Sequence, residues 1–349
     1  MCCLDHDNNT MLSLADLTQK LADKNIPKFR AMQILQAVCK EGKTAYDQIT
    51  TLPPQLQQEL TAEVPILSLK VIRQQKSLDG CTIKTLFELK GEVKIETVLM
   101  HFQDGRHTVC ISSQAGCQLG CKFCATGTMK FGRNLTDEEI SDQVLFYAQQ
   151  LHHEDKRISN IVLMGMGEPF MNYDNVLKAL HNINDPEGLN IGARNITIST
   201  SGICAGIEKL IEEKTQFNLA VSLHAPTQEL RKRIMPIANK YTLDQLMAAI
   251  KNYLEKTHRR ISYEYVMLKG INDGGEQAHQ LGKLIQGQLC HVNLIPYNMT
   301  GIAGIEGSIP EQIKKFRNIV KEYGIEATIR VTLGQDIDAA CGQLANRAN

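Results

Sequence analysis

The sequence predicts an α/β protein whose main body is an incomplete (β/α)6 barrel, preceded by a small helical domain and a β extension. Two observations carry that prediction. Beyond residue 110, apolar strand-like runs recur at Asn160 to Met164, Asn195 to Ser199, Asn218 to Leu223, Ser262 to Leu268, His291 to Tyr297 and Ala327 to Thr332. Helix-like segments lie between most of them, at 136–152, 173–184, 204–214, 242–257, 275–287 and 310–323. Repeated strand–helix units imply a parallel sheet with right-handed crossovers, and chemistry at the C-terminal ends of the strands.

The elements before residue 110 read differently. Residues 13–62 look helical: Ser13 followed by Asp16 resembles a capping box, and Leu14, Leu17 and Leu21 recur at helical spacing. Phe29, Met32, Ile34, Leu35 and Val38 predict a second amphipathic helix. Pro53-Pro54 opens a third, on which Leu56 and Leu60 share a face. We take 1–65 as a helical accessory domain. From 66 to 109 the texture turns to β, with runs at Lys70 to Arg73, Thr85 to Leu89, Lys94 to Met100 and His107 to Cys110, and turns at Asp79-Gly80 and Lys90-Gly91. This predicts an antiparallel extension leading into a core over 110–349.

Composition narrows the class. Of 349 residues, 43% are hydrophobic and 22% charged, ordinary values for a globular protein with a sizeable core. Lys plus Arg equals Asp plus Glu at 38 each, which excludes a protein that coats nucleic acid through bulk charge. Basic groups cluster at Lys28-Phe29-Arg30, Arg231-Lys232-Arg233, His258-Arg259-Arg260 and Lys314-Lys315 with Arg317. Each is more simply a solvated helix face than an RNA contact. The N-terminus lacks the basic and apolar stretches of a secretory signal, and no apolar run approaches the ~20 residues of a membrane span. The expectation is a cytoplasmic protein. Eleven cysteines, an odd count without an export signal, point to metal or redox chemistry rather than a disulfide framework.

The sharpest motif is Cys117-Gln118-Leu119-Gly120-Cys121-Lys122-Phe123-Cys124. Three thiolates at this spacing can hold three irons of a [4Fe–4S] cube and leave the fourth iron without a protein ligand. S-adenosylmethionine can chelate that iron through its amino and carboxylate groups, and electron transfer into its sulfonium yields a carbon radical. A closed zinc site would want a fourth ligand. His101 and His107 precede the loop but sit in no familiar zinc spacing. Phe123 could shield the cluster or simply pack the loop. Here the chain resembles the radical S-adenosylmethionine superfamily, whose fold is a TIM-like (β/α)6 radical SAM barrel.

Five further strings narrow the resemblance: Gly165 to Pro169 (GMGEP), Ile198 to Gly202 (ISTSG), Ser222 to Pro226 (SLHAP), Asn293 to Asn298 (NLIPYN) and Asp336 to Leu344 (DIDAACGQL). In this order, from about residue 10 to 345, they are similar to the RlmN/Cfr family, which methylates an adenine of 23S ribosomal RNA and, in some members, of transfer RNA. The resemblance implies an RNA (adenine-C) methyltransferase with one [4Fe–4S] cluster held by Cys117, Cys121 and Cys124. It implies S-adenosylmethionine bound by Gly167, Glu168, Ser199, Ser222, Leu223, His224 and Asn298. Gly165 and Gly167 would let backbone approach a ligand closely. Glu168 could accept from an amino group. The serines, taken alone, read as turn or cap groups.

A lone Cys341 would ordinarily be a buried free thiol. In the family's setting it accepts a methyl group, which a radical then activates for addition to the adenine ring, leaving the base tethered to Cys341. Cys110 matches the resolving thiol that forms a transient disulfide with Cys341, and Glu96 matches the proton acceptor. Their bland readings are a strand-end core cysteine and a solvated strand glutamate. Cys2, Cys3, Cys39, Cys81, Cys204 and Cys290 match no chemical spacing. The remaining expectations are a monomer, a reducing donor such as flavodoxin or ferredoxin, no membrane partner, and a helical domain that helps grip folded RNA. Pro169, Ile295-Pro296 and Leu189 to Arg194 resemble the C2-methylating branch, whereas Cys110 to Gln114 and Cys124 to Gly127 also resemble the C8 branch. C2 is favoured. A radical enzyme on a non-RNA substrate and an electron-transfer module are the alternatives; neither needs Cys110 paired with Cys341.

Overall fold

The computed structural model describes residues 14–346. Cys2, Cys3 and Ser13 with its capping box lie outside the described residues, as do the side chains of Leu14 and Asp16. The chain opens with α1 (Leu14–Asp23), α2 (Phe29–Leu35), which runs on into a π turn over Gln36–Lys40, and α3 (Pro54–Glu63), whose first residue is a proline with no N–H to satisfy. Leu17, Leu21, Ile34, Leu35, Val38, Leu56 and Leu60 bury into one apolar cluster, with Leu145 and the partly buried Leu189 reaching in from the main body. Phe29 departs from the expected core stripe. It stands 54% exposed, with the Arg30 guanidinium 4.7 Å over its ring, because the core side of α2 is already filled by Ala31, Ile34 and Leu35.

Four strands follow: β1 (Lys70–Lys76), β2 (Thr82–Leu89), β3 (Val93–His101) and β4 (His107–Cys110), paired antiparallel in succession. A two-stranded ladder of β5 (Gln114–Ala115) and β6 (Arg133–Asn134) brackets the cysteine loop. The alternating body is then α4 (Asp137–His152), β7 (Asn160–Leu163), α5 (Tyr173–Asn184), β8 (Ile196–Thr200), α6 (Cys204–Glu212), β9 (Asn218–Ser222), α7 (Gln228–Ile234), α8 (Leu243–Thr257), β10 (Ile261–Met267), α9 (Gly275–Ile285), β11 (Cys290–Pro296), α10 (Pro310–Glu322) and β12 (Glu326–Ile329). Reciprocal capping boxes start α4 (Thr136 with Glu139) and α8 (Thr242 with Gln245), as a Ser/Thr followed three residues later by Glu/Gln should.

All of these strands except β5 and β6 form one ten-stranded sheet in the order β1-β2-β3-β4-β7-β8-β9-β10-β11-β12. From β4 onward the pairing is parallel. Strand β4 therefore belongs to both parts: antiparallel to β3 and parallel to β7. The parallel portion gains a strand over the six expected, and the extension is continuous with the barrel strands. Register places the strand ends side by side, with Cys110 opposite Val162, Ser199 opposite Ala220 and Ser222 opposite Glu264.

Helix α7, seven residues with Arg231-Lys232-Arg233 at its centre, was not expected. Its length is too short for a helical apolar stripe to show. Among the described residues, no helix is long and apolar enough to cross a membrane.

Candidate active site

The cysteine loop leaves β5 through Gly116, whose φ of +79° and backbone contact admit no side chain: a Cβ there would lie 2.5 Å from the Lys130 carbonyl. Cys117, Cys121 and Cys124 all line one cavity of about 1020 Å³ and all are free thiols. The loop is tied on two sides, by Lys122 N–H to the Ile234 carbonyl (3.0 Å) and by Ala125 N–H to the Gly342 carbonyl (2.8 Å). Among the described residues, no three His, Cys, Asp or Glu side chains are gathered to hold a single metal ion. The donor set is three soft thiols on one loop, facing shared space, which fits a sulfur-bridged iron cluster. Burial, joined by the neighbouring cysteines and Glu168, pushes the Cys117 thiol up to about 11 and holds Cys121 well above the ordinary thiol range. A coordinated cation reverses that preference and leaves thiolates.

Beneath the loop lies a residue that the basic-cluster reading misplaced. Arg231 is fully buried. Its Nη2 donates to the Ser201 carbonyl at 2.6 Å and its Nε to the Leu223 carbonyl at 3.3 Å, joining the ends of β8 and β9. Burial lowers its pKa to about 10, while Cys121 and Cys204 pull it the other way. The signal was present: Arg231 shares a helical face with Ile234, three residues on. Arg259 is likewise engaged, donating to the Gln216 carbonyl at 2.7 Å and to Asn218 Oδ1 at 2.9 Å, whereas the α10 cluster behaves as a solvated face. Lys314 and Lys315 are exposed on α10 opposite its buried Ile313, Phe316 and Val320.

The strand ends supply the rest of the cavity. Gly165 and Gly167 follow β7, line the cavity, and also meet a packing demand. A Cβ on Gly165 would meet the Ile111 carbonyl at 2.6 Å, and one on Gly167 (φ +102°) the Gln114 Cβ at 2.5 Å. The glycines let this turn pack on residues 111–114, where Gly165 N–H bonds the Ile111 carbonyl and Met166 N–H the Ser112 hydroxyl. Glu168 is buried and accepts from Phe170 N–H (3.1 Å) and Ser201 N–H (2.7 Å), while burial raises its pKa. Ser199 and Ser222 are half-buried on the cavity wall.

Leu223 is not brought to that wall. Its side chain is fully buried in the core, and its N–H bonds the Glu264 carbonyl at 3.1 Å. His224 holds a left-handed φ of +57°, and its Nδ1 accepts the Val266 N–H at 3.0 Å. Burial, with Arg231 nearby, drops its pKa to about 3, so the ring is neutral and carries its proton on Nε2. Phe123 stacks T-shaped on this ring at 4.7 Å and lines the cavity beside the three cysteines.

Cys341 lies in the loop after β12 and also lines the large cavity. It lines a second as well, of about 570 Å³, where Cys110, Val98, Met100 and Arg330 are its neighbours. Cys110, at the end of β4, lines only the second cavity, and Cys117, Cys121 and Cys124 only the first. Both Cys110 and Cys341 are free thiols, so no disulfide joins them in this state. Burial and the nearby Cys341 push Cys110 up to about 12. Cys341 itself is solvent-exposed at its residue surface, burial of its sulfur among the packed groups around it raises its pKa, and Arg330 pulls both thiols down.

Arg330 and Glu264, 3.7 Å apart, escaped the sequence reading. A charged residue within each of two apolar strand runs was the available sign. Asn298 donates to the Cys341 carbonyl at 3.1 Å and accepts from Gln335 at 2.8 Å.

Glu96 is placed elsewhere. It is fully buried on β3, lines neither cavity, pairs with Lys84 Nζ at 3.1 Å, and accepts the N–H groups of Ala345 (2.8 Å) and Asn346 (3.1 Å).

Comparison with known proteins agrees with this site. The Radical SAM superfamily matches residues 111–281. The chain is 45% identical over 338 residues to a probable dual-specificity RNA methyltransferase RlmN of Symbiobacterium thermophilum, covering 97% of this chain and 91% of that protein. Against the corresponding protein of Alkaliphilus metalliredigens it is 46% identical over 338 residues, covering 97% and 94%. A crystal structure of a radical SAM methyltransferase from Sphaerobacter thermophilus superposes with a TM-score of 0.93 at 44% identity, over 96% of this chain and 98% of that one.

Proposed function

Because this chain belongs to the RlmN family of radical SAM RNA methyltransferases, we propose that it methylates C2 of an adenine in 23S ribosomal RNA, and of transfer RNA, by way of an S-methylated Cys341. Relatives of nearly equal length are named dual-specificity RNA methyltransferases, which supports more than one RNA substrate; the C2 branch rests on Pro169, Ile295-Pro296 and Leu189 to Arg194. The observation that carries the reading is the position of Cys341 on the wall shared by two cavities, one bearing the three clustered cysteines and the other Cys110.

In this reading Cys117, Cys121 and Cys124 hold the cluster, and Glu168, Ser199, Ser222, His224 and Asn298 hold S-adenosylmethionine. When bound, cluster and S-adenosylmethionine supply the transferable methyl group and the radical chemistry that activates it. The chain's own residues do the rest. Cys341 loses its proton and forms a sulfur–carbon bond to the methyl group. Neutral His224 offers a single N–H donor and no charge, while Glu168 supplies the acceptor for an ammonium group. After the methyl carbon, having given up one hydrogen, has bonded to the adenine, one electron passes back to the redox system and the ring proton to a base in the site. Cys110 as thiolate then attacks the Cys341 sulfur. The sulfur–sulfur bond forms as the sulfur–carbon bond breaks, and the methylated base departs. Two thiols within one cavity suit that exchange. A flavodoxin or ferredoxin would supply electrons to this cytoplasmic monomer, and the N-terminal helices would help hold the folded RNA.

The test is anaerobic reconstitution with iron and sulfide, then incubation with reductant, S-adenosylmethionine and either 23S ribosomal RNA or transfer RNA. Modified nucleosides are read by mass spectrometry. 2-Methyladenosine from both RNAs is the expected product. 8-Methyladenosine would move the chain to the other branch, and a Cys341 that never acquires a methyl group would sink the reading.

A further inference from the structure

We propose that Lys84 and Glu96 act together as a positioning clamp that sets where the Cys341 sulfur stands between the two cavities. The proposal rests on Cys341 being the methyl carrier. The segment from Arg330 to Asn346 contains a single turn of 3-10 helix, Gln335–Ile337, so regular secondary structure does not place its cysteine. Other groups must.

Lys84 on β2 and Glu96 on β3 are 5% and 0% exposed. Pairing of Lys84 with Val98 and of Leu86 with Glu96 makes them diagonal neighbours on one face of the sheet. Removing both charges from water is costly, and a buried ion pair is retained where its remaining hydrogen-bonding capacity is also used. Here Lys84 and one Glu96 oxygen reach the Cys341 segment, while Glu96 Oε1 has only the Lys84 charge beside it. Lys84 Nζ donates to the Asp338 carbonyl at 3.2 Å, three residues before the cysteine. Glu96 Oε2 accepts from Ala345 and Asn346, four and five residues after it.

The pair thus grips the loop on both sides of Cys341. It also references the loop to Cys110, since Val98, two residues along β3 from Glu96, is the register partner of Cys110. This is work for a buried carboxylate that lines neither cavity, and experiment can separate it from the proton-accepting role that the family pattern implies.

Charge-neutral double variants separate the two roles. Lys84→Met/Glu96→Gln keeps an oxygen for the Ala345 and Asn346 amides, whereas Lys84→Met/Glu96→Leu removes it. Amide exchange at 345 and 346, alkylation of Cys341 by iodoacetamide without S-adenosylmethionine, and methylation of Cys341 are read in each. The Gln variant keeps the Glu96 grip and loses only the Lys84 bond to Asp338, so it is expected to move each readout by about threefold. The Leu variant should exchange and alkylate roughly tenfold faster and methylate Cys341 roughly tenfold more slowly, with the iron–sulfur absorbance intact. Should the Leu variant fail to fold, a chain ending at Leu344 removes the two amides and leaves the pair untouched; the same loss is expected. Wild-type behaviour of the Leu variant or the shortened chain overturns the clamp. So does a Gln variant that loads Cys341 normally and then accumulates RNA tethered to it, which would make Glu96 the proton acceptor. If wild-type Cys341 itself is never methylated, the underlying function has failed instead.

Discussion

The side chain of Asn298 donates to the backbone carbonyl of Cys341 at 3.1 Å while its own oxygen accepts from Gln335 at 2.8 Å. Both ends of this amide are thus committed to the cysteine's loop, from a residue just beyond β11 that faces both cavities.

Asn298→Ala should therefore slow methylation of Cys341 by roughly tenfold or more, since small misplacements of a reacting group are expensive. The dissociation constant for S-adenosylmethionine should move less than the loading rate. Equilibrium binding and single-turnover loading, measured together, check this; a variant that loses affinity alone would place Asn298 on the ligand only.

Cys110→Ala should leave cluster absorbance and Cys341 methylation unchanged and block release. RNA covalently attached to Cys341 is the expected product on a denaturing gel. Free, fully methylated RNA at the wild-type rate would end the resolving role.

Cys117→Ala, Cys121→Ala and Cys124→Ala should each abolish the broad iron–sulfur absorbance after reconstitution, because a cube with fewer than three thiolates is not retained. A persistent cluster with full iron content in any of the three would remove that residue from the ligand set.

Asp142 on α4 is fully buried and accepts from Ser68 N–H (2.6 Å) and Oγ (2.7 Å). Burial pushes its pKa up to about 7, from an ordinary carboxylate value near ~4. The folded chain therefore binds a proton that the unfolded chain has released. Its stabilisation is complete below ~4 and is lost as pH rises through about 7, at up to ~1.4 kcal/mol per pH unit. Asp142→Asn, which imitates the protonated acid, should flatten that slope and be at least as stable as wild type at pH 8. Urea unfolding at pH 5 and pH 8 tests it; an Asn variant much weaker at pH 8 would show that the charged form is the favoured one.

Much of the architecture was legible because apolar strands spaced by amphipathic helices leave a strong periodic trace. The segments 173–184 and 310–323 coincide with α5 and, to a residue, with α10. What stayed hidden depends on contacts distant in sequence. Arg231 reads as surface until Ser201 and Leu223 are seen to take its donors. The packing demand on Gly165 and Gly167 comes from residues 111–114, more than fifty positions earlier. Glu96 reads as a solvated strand residue or a base, and only the return of the C-terminal segment over β2 and β3 buries it. The cysteine loop was legible because its ligands are local. Cys110 and Cys341 share a cavity only through the fold.

The antiparallel strands have one further consequence, for where the molecule can be divided. The superfamily match begins at Ile111, yet β7 finds its hydrogen-bonding partner in β4, before that boundary. A fragment starting there would present β7 as a bare, apolar edge with its amides and carbonyls unpaired, a template for aggregation. In the whole chain that edge is moved outward to β1, whose sequence is KVIRQQK and whose side chains stand largely in solvent. The extension thus acts as a selvedge for the barrel, ending the sheet on a strand whose Lys70, Arg73 and Lys76 charges discourage edge pairing.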